Sequence, residues 1–118
     1  MKTSSEPVTI WHNPRCGKSR AALALLRERG VEPQIVEYLK TPPSATELRT
    51  VLSKLGLKPE QLLRKGEDAY RALEGEALSE AQWLEAMTRN PILIERPIVI
   101  KGERARVGRP PEKVLELL

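Results

Sequence analysis

Three short segments within the first 38 residues narrow what this chain can fold into. Val8-Thr9-Ile10-Trp11-His12 alternates and β-branches like a strand. Lys18 to Arg29 is rich in alanine and leucine until Gly30 stops it, and Pro33 leads into a second strand, Gln34-Ile35-Val36-Glu37-Tyr38. Strand, helix and strand within about 30 residues make a βαβ unit, which implies parallel pairing and a right-handed crossover. The chain therefore begins as an α/β fold, and the corner between its first strand and first helix carries the only cysteine, Cys16.

The rest can be placed by its punctuation. Thr41-Pro42-Pro43 breaks the chain, and Ser44 with Glu47 forms a capping box ahead of Leu48, Val51, Leu52 and Leu55, a helical stripe closed by Gly56. Pro59 opens a short helix carrying Leu62-Leu63-Arg64-Lys65, and Ser79 with Gln82 caps another that holds Trp83, Leu84 and Met87. After Pro91, strand-like apolar runs flank Glu95-Arg96-Pro97, and Lys101-Gly102-Glu103-Arg104 reads as a type II′ hairpin turn before Ala105-Arg106-Val107. Gly108-Arg109-Pro110-Pro111 opens a last helix through Val114, Leu115 and Leu118. The order is βαβ, helices, ββα. Residues 1–118 are expected to form one domain with its own core.

One cysteine excludes a disulfide framework, and one cysteine with one histidine excludes a self-contained Cys/His zinc site. Met1 to Pro7 is polar, and no apolar run approaches the roughly 20 residues of a membrane span. A protein of the reducing cytoplasm is expected. The net charge of +4, with no phenylalanine, two tyrosines and two tryptophans, lacks the interleaved basic and aromatic residues that stack bases, so nucleic acid is not an expected partner.

The candidate chemistry starts at Cys16. A free cysteine is ordinarily a small buried hydrophobe, yet His12-Asn13-Pro14-Arg15-Cys16-Gly17-Lys18-Ser19-Arg20 contains no core-forming neighbour. The thiolate is the reactive form, and helix N-terminal amides and nearby cations favour it. Gly17 permits close backbone approach, and the amides that follow can hold a thiolate or an oxyanion beside it. Ser19 stands where a dithiol oxidoreductase has its second cysteine; it is either that position in a monothiol version or a helix-cap serine. Gly17-Lys18-Ser19 is not a phosphate loop, because the glycine required five residues earlier is His12. His12, the only histidine, either lowers the thiol's pKa as an imidazolium or orders the loop. Arg64, Arg96 and Arg109 have unusual settings, and planar, permanently charged forks suit tetrahedral oxyanions. Spacing alone does not bring the three together.

These residues resemble the glutaredoxin-coupled arsenate reductases of the ArsC type over nearly the entire chain. The likeness rests on the Cys16 loop, on Tyr38-Leu39-Lys40-Thr41-Pro42-Pro43-Ser44, on Leu62-Leu63-Arg64-Lys65, on Asn90 to Val99 and on Gly108-Arg109-Pro110-Pro111-Glu112. It implies a thioredoxin-like fold with a mixed central sheet flanked by helices. It also implies that Cys16 attacks arsenate to form a covalent adduct, that Arg64, Arg96 and Arg109 bind the oxyanion, that His12 tunes the thiol, and that Pro97 holds a cis peptide. Arsenate, glutathione as co-substrate and glutaredoxin are the implied partners of a monomer with no bound cofactor or metal. With no second cysteine, any disulfide formed in turnover must involve an outside thiol. Two other functions fit the same residues: a monothiol oxidoreductase acting on glutathione mixed disulfides, and a Spx-like transcriptional regulator, for which Ser19 removes the resolving thiol.

Overall fold

β-Branched residues set the first strand, β1 (Val8–Trp11), and the polar loop that follows ends it one residue earlier than the alternation suggests. A computed structural model gives the architecture and describes residues 6–73 and 77–118; the polar start of the chain through Ser5 lies outside them. By its internal contacts the chain forms two units, one of Met1–Tyr38 with Arg96–Leu118 and one of Leu39–Glu95.

The first unit is a four-stranded sheet with two helical elements. α1 (Gly17–Glu28) follows β1 and buries Ser19, Ala22, Leu23 and Leu26, spaced three and four apart on one face. β2 (Gln34–Val36) lies parallel to β1, with Trp11 opposite Val36. β3 (Ile98–Lys101) runs antiparallel on the other side of β1, and β4 (Arg104–Val107) closes the order β2-β1-β3-β4. The sheet is mixed, as the resemblance implies. Gly102 has φ 59°, and no non-glycine residue among those described has positive φ, so the two-residue turn is type II′, which needs a left-handed residue only at its first central position.

The core of this unit gathers Val8 and Ile10 of β1, Val99 of β3 and the buried face of α1. Each fully buried aliphatic side chain there stabilises the fold by about 1.5–3 kcal/mol. Val114 and Leu117 complete the cluster, and they correct the expected C-terminal helix. Pro111–Leu117 is a 3-10 helix, held by bonds such as Lys113 N–H to Pro110 O at 3.0 Å. Three residues per turn put positions 114 and 117 on one side. Leu117 is therefore buried and Leu118 is 43% exposed.

The second unit is mainly helical. α2 (Ala45–Leu55) has the predicted capping box: the Glu47 N–H donates to Ser44 Oγ at 3.1 Å and the Ser44 N–H to Glu47 Oε1 at 2.8 Å. Gly56 ends it in the left-handed region, φ 72°. A short α3 (Asp68–Arg71) has no counterpart in the sequence reading. α4 (Glu80–Arg89) starts at the Ser79–Gln82 box and packs on α2. Tyr70 stacks on Trp83, centroids 6.1 Å apart.

Two expectations change here. The helix opened by Pro59 is a 3-10 turn that stops at Leu62, and Leu63 instead bridges Ile94, flanked by Arg64 N–H to Leu93 O and Glu95 N–H to Leu62 O, each 2.8 Å. The apolar run after Asn90 is not a strand. Pro91–Leu93 forms a 3-10 turn, with Leu93 N–H bonded to Asn90 O at 2.9 Å, because Pro91 suits a first-turn position and has no N–H for a ladder. Among the described residues no helix is long and apolar enough to cross a membrane.

Candidate active site

The loop after β1 is shaped by short side chains bonding to its backbone. The His12 N–H donates to Val36 O at 2.8 Å, continuing the parallel pairing, and the Cys16 N–H turns back to Asn13 O at 2.9 Å. Asn13 Oδ1 accepts the Arg15 N–H at 3.0 Å, an Asx turn. The Asn13 N–H donates to Ser19 Oγ at 3.0 Å, and Ser19 Oγ lies 2.6 Å from His12 Nδ1. Ser19 can accept one bond and donate the other, so we assign the neutral imidazole tautomer whose Nδ1 accepts the Ser19 hydroxyl proton.

Cys16 is the N-cap of α1, extended at φ −95° and ψ 122°, and its side chain makes no capping bond. The thiol is half-buried and free. The Cys16 carbonyl accepts the Arg20 N–H at 3.0 Å, the first bond of the helix ladder, so the amides of Gly17, Lys18 and Ser19 precede it and are available at the helix start. Ser19 is accordingly not a cap. Its hydroxyl is fully buried and turned into the loop, which leaves only its amide for a bound oxyanion.

His12 is 6% exposed. Burial holds its pKa below the ordinary 6.5, with Arg27 and Arg20 pushing the same way and Glu37 opposing. A neutral, hydrogen-bonded ring favours the second of the two roles read from the sequence, ordering the loop. Stability follows from the sign. In the unfolded chain His12 binds a proton at higher pH than in the fold, so stability is full above about pH 6.5 and falls as pH drops below it. The melting temperature of the native protein is expected to fall between pH 7.5 and 5.5 by more than that of His12→Gln; equal drops in the two proteins refute the assignment.

Strand register brings further residues to the same place. Trp11 pairs with Ile98, and Ile98 with Val107. The loop after β1, the Arg96-Pro97 step before β3 and Gly108-Arg109 after β4 therefore leave one end of the sheet together. The Arg96–Pro97 peptide is cis, and so is Arg109–Pro110, which the sequence did not suggest. Arg109 Nη1 donates to the Arg96 carbonyl at 3.3 Å, and the Gly108 N–H to Pro97 O at 2.8 Å. A Cβ on Gly108 would stand 2.8 Å from Pro97 Cγ and 3.2 Å from Val114 Cγ1, so glycine is needed for the close approach. Arg96 Nε and Nη1 are buried without a hydrogen-bond partner. Buried guanidinium donors are costly to leave unmet, and a charged group in that condition favours an anionic partner.

Arg64 belongs to the second unit. Its Nη1 lies 2.7 Å from Glu67 Oε2 and its Nε 3.5 Å from Glu95 Oε1. Glu67 and Glu95 lie three and thirty-one positions from Arg64, and nothing in that spacing marks them as its partners. The structural roles of Asn13 and Gly108 are marked in the sequence only by the turn signals Asn-Pro and Gly-x-Pro.

Known proteins resemble this chain over nearly its whole length. A model of the ArsC family matches residues 11–117. An uncharacterised Escherichia coli K12 protein, YfgD, is 50% identical over 97% of this chain and 98% of its own. An arsenate reductase of Haemophilus influenzae is 45% identical over 94% of this chain and 98% of its own. The structure of an arsenate reductase from Vibrio cholerae superposes with a TM-score of 0.93 at 45% identity, covering 98% of this chain and all of that one (100%).

Proposed function

This chain belongs to the ArsC family and has its thioredoxin-like fold, and from that premise we propose that it reduces arsenate to arsenite with glutathione and glutaredoxin. One observation carries the proposal: the buried, unpartnered Nε and Nη1 of Arg96, at the sheet end that also presents the Cys16 loop and Arg109. A guanidinium with unmet buried donors calls for an anion, and a thiol at the same end calls for an electrophilic one.

In the proposed sequence, Arg96, Arg109 and the first amides of α1 hold arsenate while the Cys16 thiolate attacks arsenic. A sulfur–arsenic bond forms, and an arsenate oxygen leaves as water after protonation. Pre-placed positive charge matters because thiolate and arsenate repel, and about 1.4 kcal/mol of it is worth tenfold in rate. The sulfur of glutathione then attacks Cys16 sulfur. The sulfur–arsenic pair stays on arsenic, which passes from As(V) to As(III), and the two sulfurs are oxidised to a mixed disulfide. Arsenite takes its protons from water. Glutaredoxin removes the glutathione by thiol–disulfide exchange, returning Cys16 to the thiol. His12 and Ser19 hold the loop in which this happens. Arg64 enters the proposal on the strength of the family resemblance. We place the reaction in the cytoplasm, where the glutathione pool keeps thiols reduced, and take the chain as a monomer.

Arsenate-dependent oxidation of NADPH, coupled through glutathione reductase, glutathione and glutaredoxin, tests the reading. A rate that requires all components is expected. Turnover of a small glutathione mixed disulfide with no response to arsenate would replace it with the monothiol oxidoreductase.

A further inference from the structure

The oxyanion chemistry employs the arginines beside β3 and β4, and it leaves three exposed cations around the thiol without a task. Arg15 precedes Cys16, Lys18 is the second residue of α1, and Arg20 lies one turn along the helix on the face of Cys16. The first turn of α1 contains no acidic residue, and among the described residues neither the Arg15 nor the Lys18 side chain enters an ion pair. Arg20 bends toward the loop, donating through Nη1 to Pro14 O at 2.9 Å. Beside it an open groove of about 620 Å³ runs along α1, lined by Pro14, Leu23 and Ala24, by Arg20, by Arg27 in its ion pair with Glu32, and by one acidic side chain, Glu28. That volume lies within the roughly 300–1,000 Å³ of small-molecule sites.

Charge decides what can approach. The arsenic adduct on Cys16 is an anion, and glutathione has two carboxylates to one ammonium, so the second step brings together two species of like charge. Cations flanking the point of attack raise the local concentration of an anionic reactant and its on-rate by 10–10³-fold in other systems, and salt weakens the effect. We propose that Arg15, Lys18 and Arg20 form a cationic approach to Cys16 that selects an anionic, carboxylate-bearing thiol as second substrate, with the groove along α1 receiving its body. The proposal rests on the glutathione-dependent reading above and assigns its thiol specificity to named residues.

The test compares partners of opposite charge, so that any change in the reactivity of Cys16 itself cancels in the ratio. In the first arm, Cys16 is glutathionylated by glutathione disulfide or modified by cystamine, a dicationic disulfide, and each rate is followed by mass. In the second, arsenate turnover is measured with glutathione and with cysteamine. The native protein is compared with Arg15→Gln/Lys18→Gln; Arg20 is kept because it supports the loop. The anionic-to-cationic rate ratio is expected to fall at least about fivefold in the double variant, and to fall in the native protein as salt rises to about 0.5 M. An unchanged ratio overturns the proposal, as does a defect confined to the glutaredoxin step, which would make the cations a protein-docking surface. A native protein inactive with arsenate but showing the ratio change in the first arm would sink the reductase reading and leave the cationic approach standing.

Discussion

Cys16→Ser is expected to lose arsenate-dependent NADPH oxidation down to background, by more than about a thousandfold, because the sulfur is both nucleophile and electron donor. A hydroxyl can neither form the sulfur–arsenic bond nor be oxidised to a disulfide, so no slower version of the same route remains. The substitution should leave the fold intact. The Cys16 side chain makes no capping bond, and its backbone is already in the extended conformation of an N-cap. Serine is among the preferred residues there, and a new cap bond would add about 0.5–1 kcal/mol. An unchanged or slightly raised melting temperature with no turnover separates loss of chemistry from loss of structure. A serine variant retaining a tenth of native activity would show that arsenate is reduced without a covalent intermediate on this residue.

The contrast between this thiol and its surroundings shows what could be read from sequence. The two capping boxes and the Gly102 turn were legible because each depends on bonds between residues at most a few positions apart, which Ser44–Glu47 and Ser79–Gln82 announce by spacing. The βαβ start was legible from local periodicity and the short connections between its segments. The 3-10 segments at Pro91–Leu93 and Pro111–Leu117 were not, since choosing between a strand, an α-helix and a 3-10 turn for so short an apolar run depends on what buries it. Within the site, Cys16 stood out by its polar neighbours. The inward turn of Ser19 did not, because it is fixed by the Asn13 amide and His12 meeting one hydroxyl. The meeting of Arg96 and Arg109 with the Cys16 loop is a matter of strand register. Trp11 opposite Ile98 and Ile98 opposite Val107 bring positions almost 100 residues apart to one sheet end, which spacing along the chain does not encode.

Arg96 carries the second large effect, and its signature has two opposite signs. Removing the guanidinium in Arg96→Ala takes away its charge and at least one charge-assisted bond to the oxyanion at about 1.5–3 kcal/mol, so kcat/KM for arsenate should fall about 10–10²-fold or more. Arg96→Lys keeps the charge without the fork and should recover only part of the loss. Without ligand the expectation reverses. Nε and Nη1 are buried with no hydrogen-bond partner, so Arg96→Met, which keeps an unbranched chain of similar reach, removes donors that are costly to bury and should melt at or above the native temperature. Arsenate should then stabilise the native protein by about 2.7 kcal/mol at 100 times its dissociation constant, and should leave Arg96→Met unmoved. An Arg96→Met protein that melts lower without ligand and still gains the full arsenate shift would make Arg96 a structural residue and move the oxyanion site elsewhere. The same melts with phosphate in place of arsenate measure how far the fork distinguishes one tetrahedral oxyanion from another, because binding shifts the melt whether or not the thiol can react.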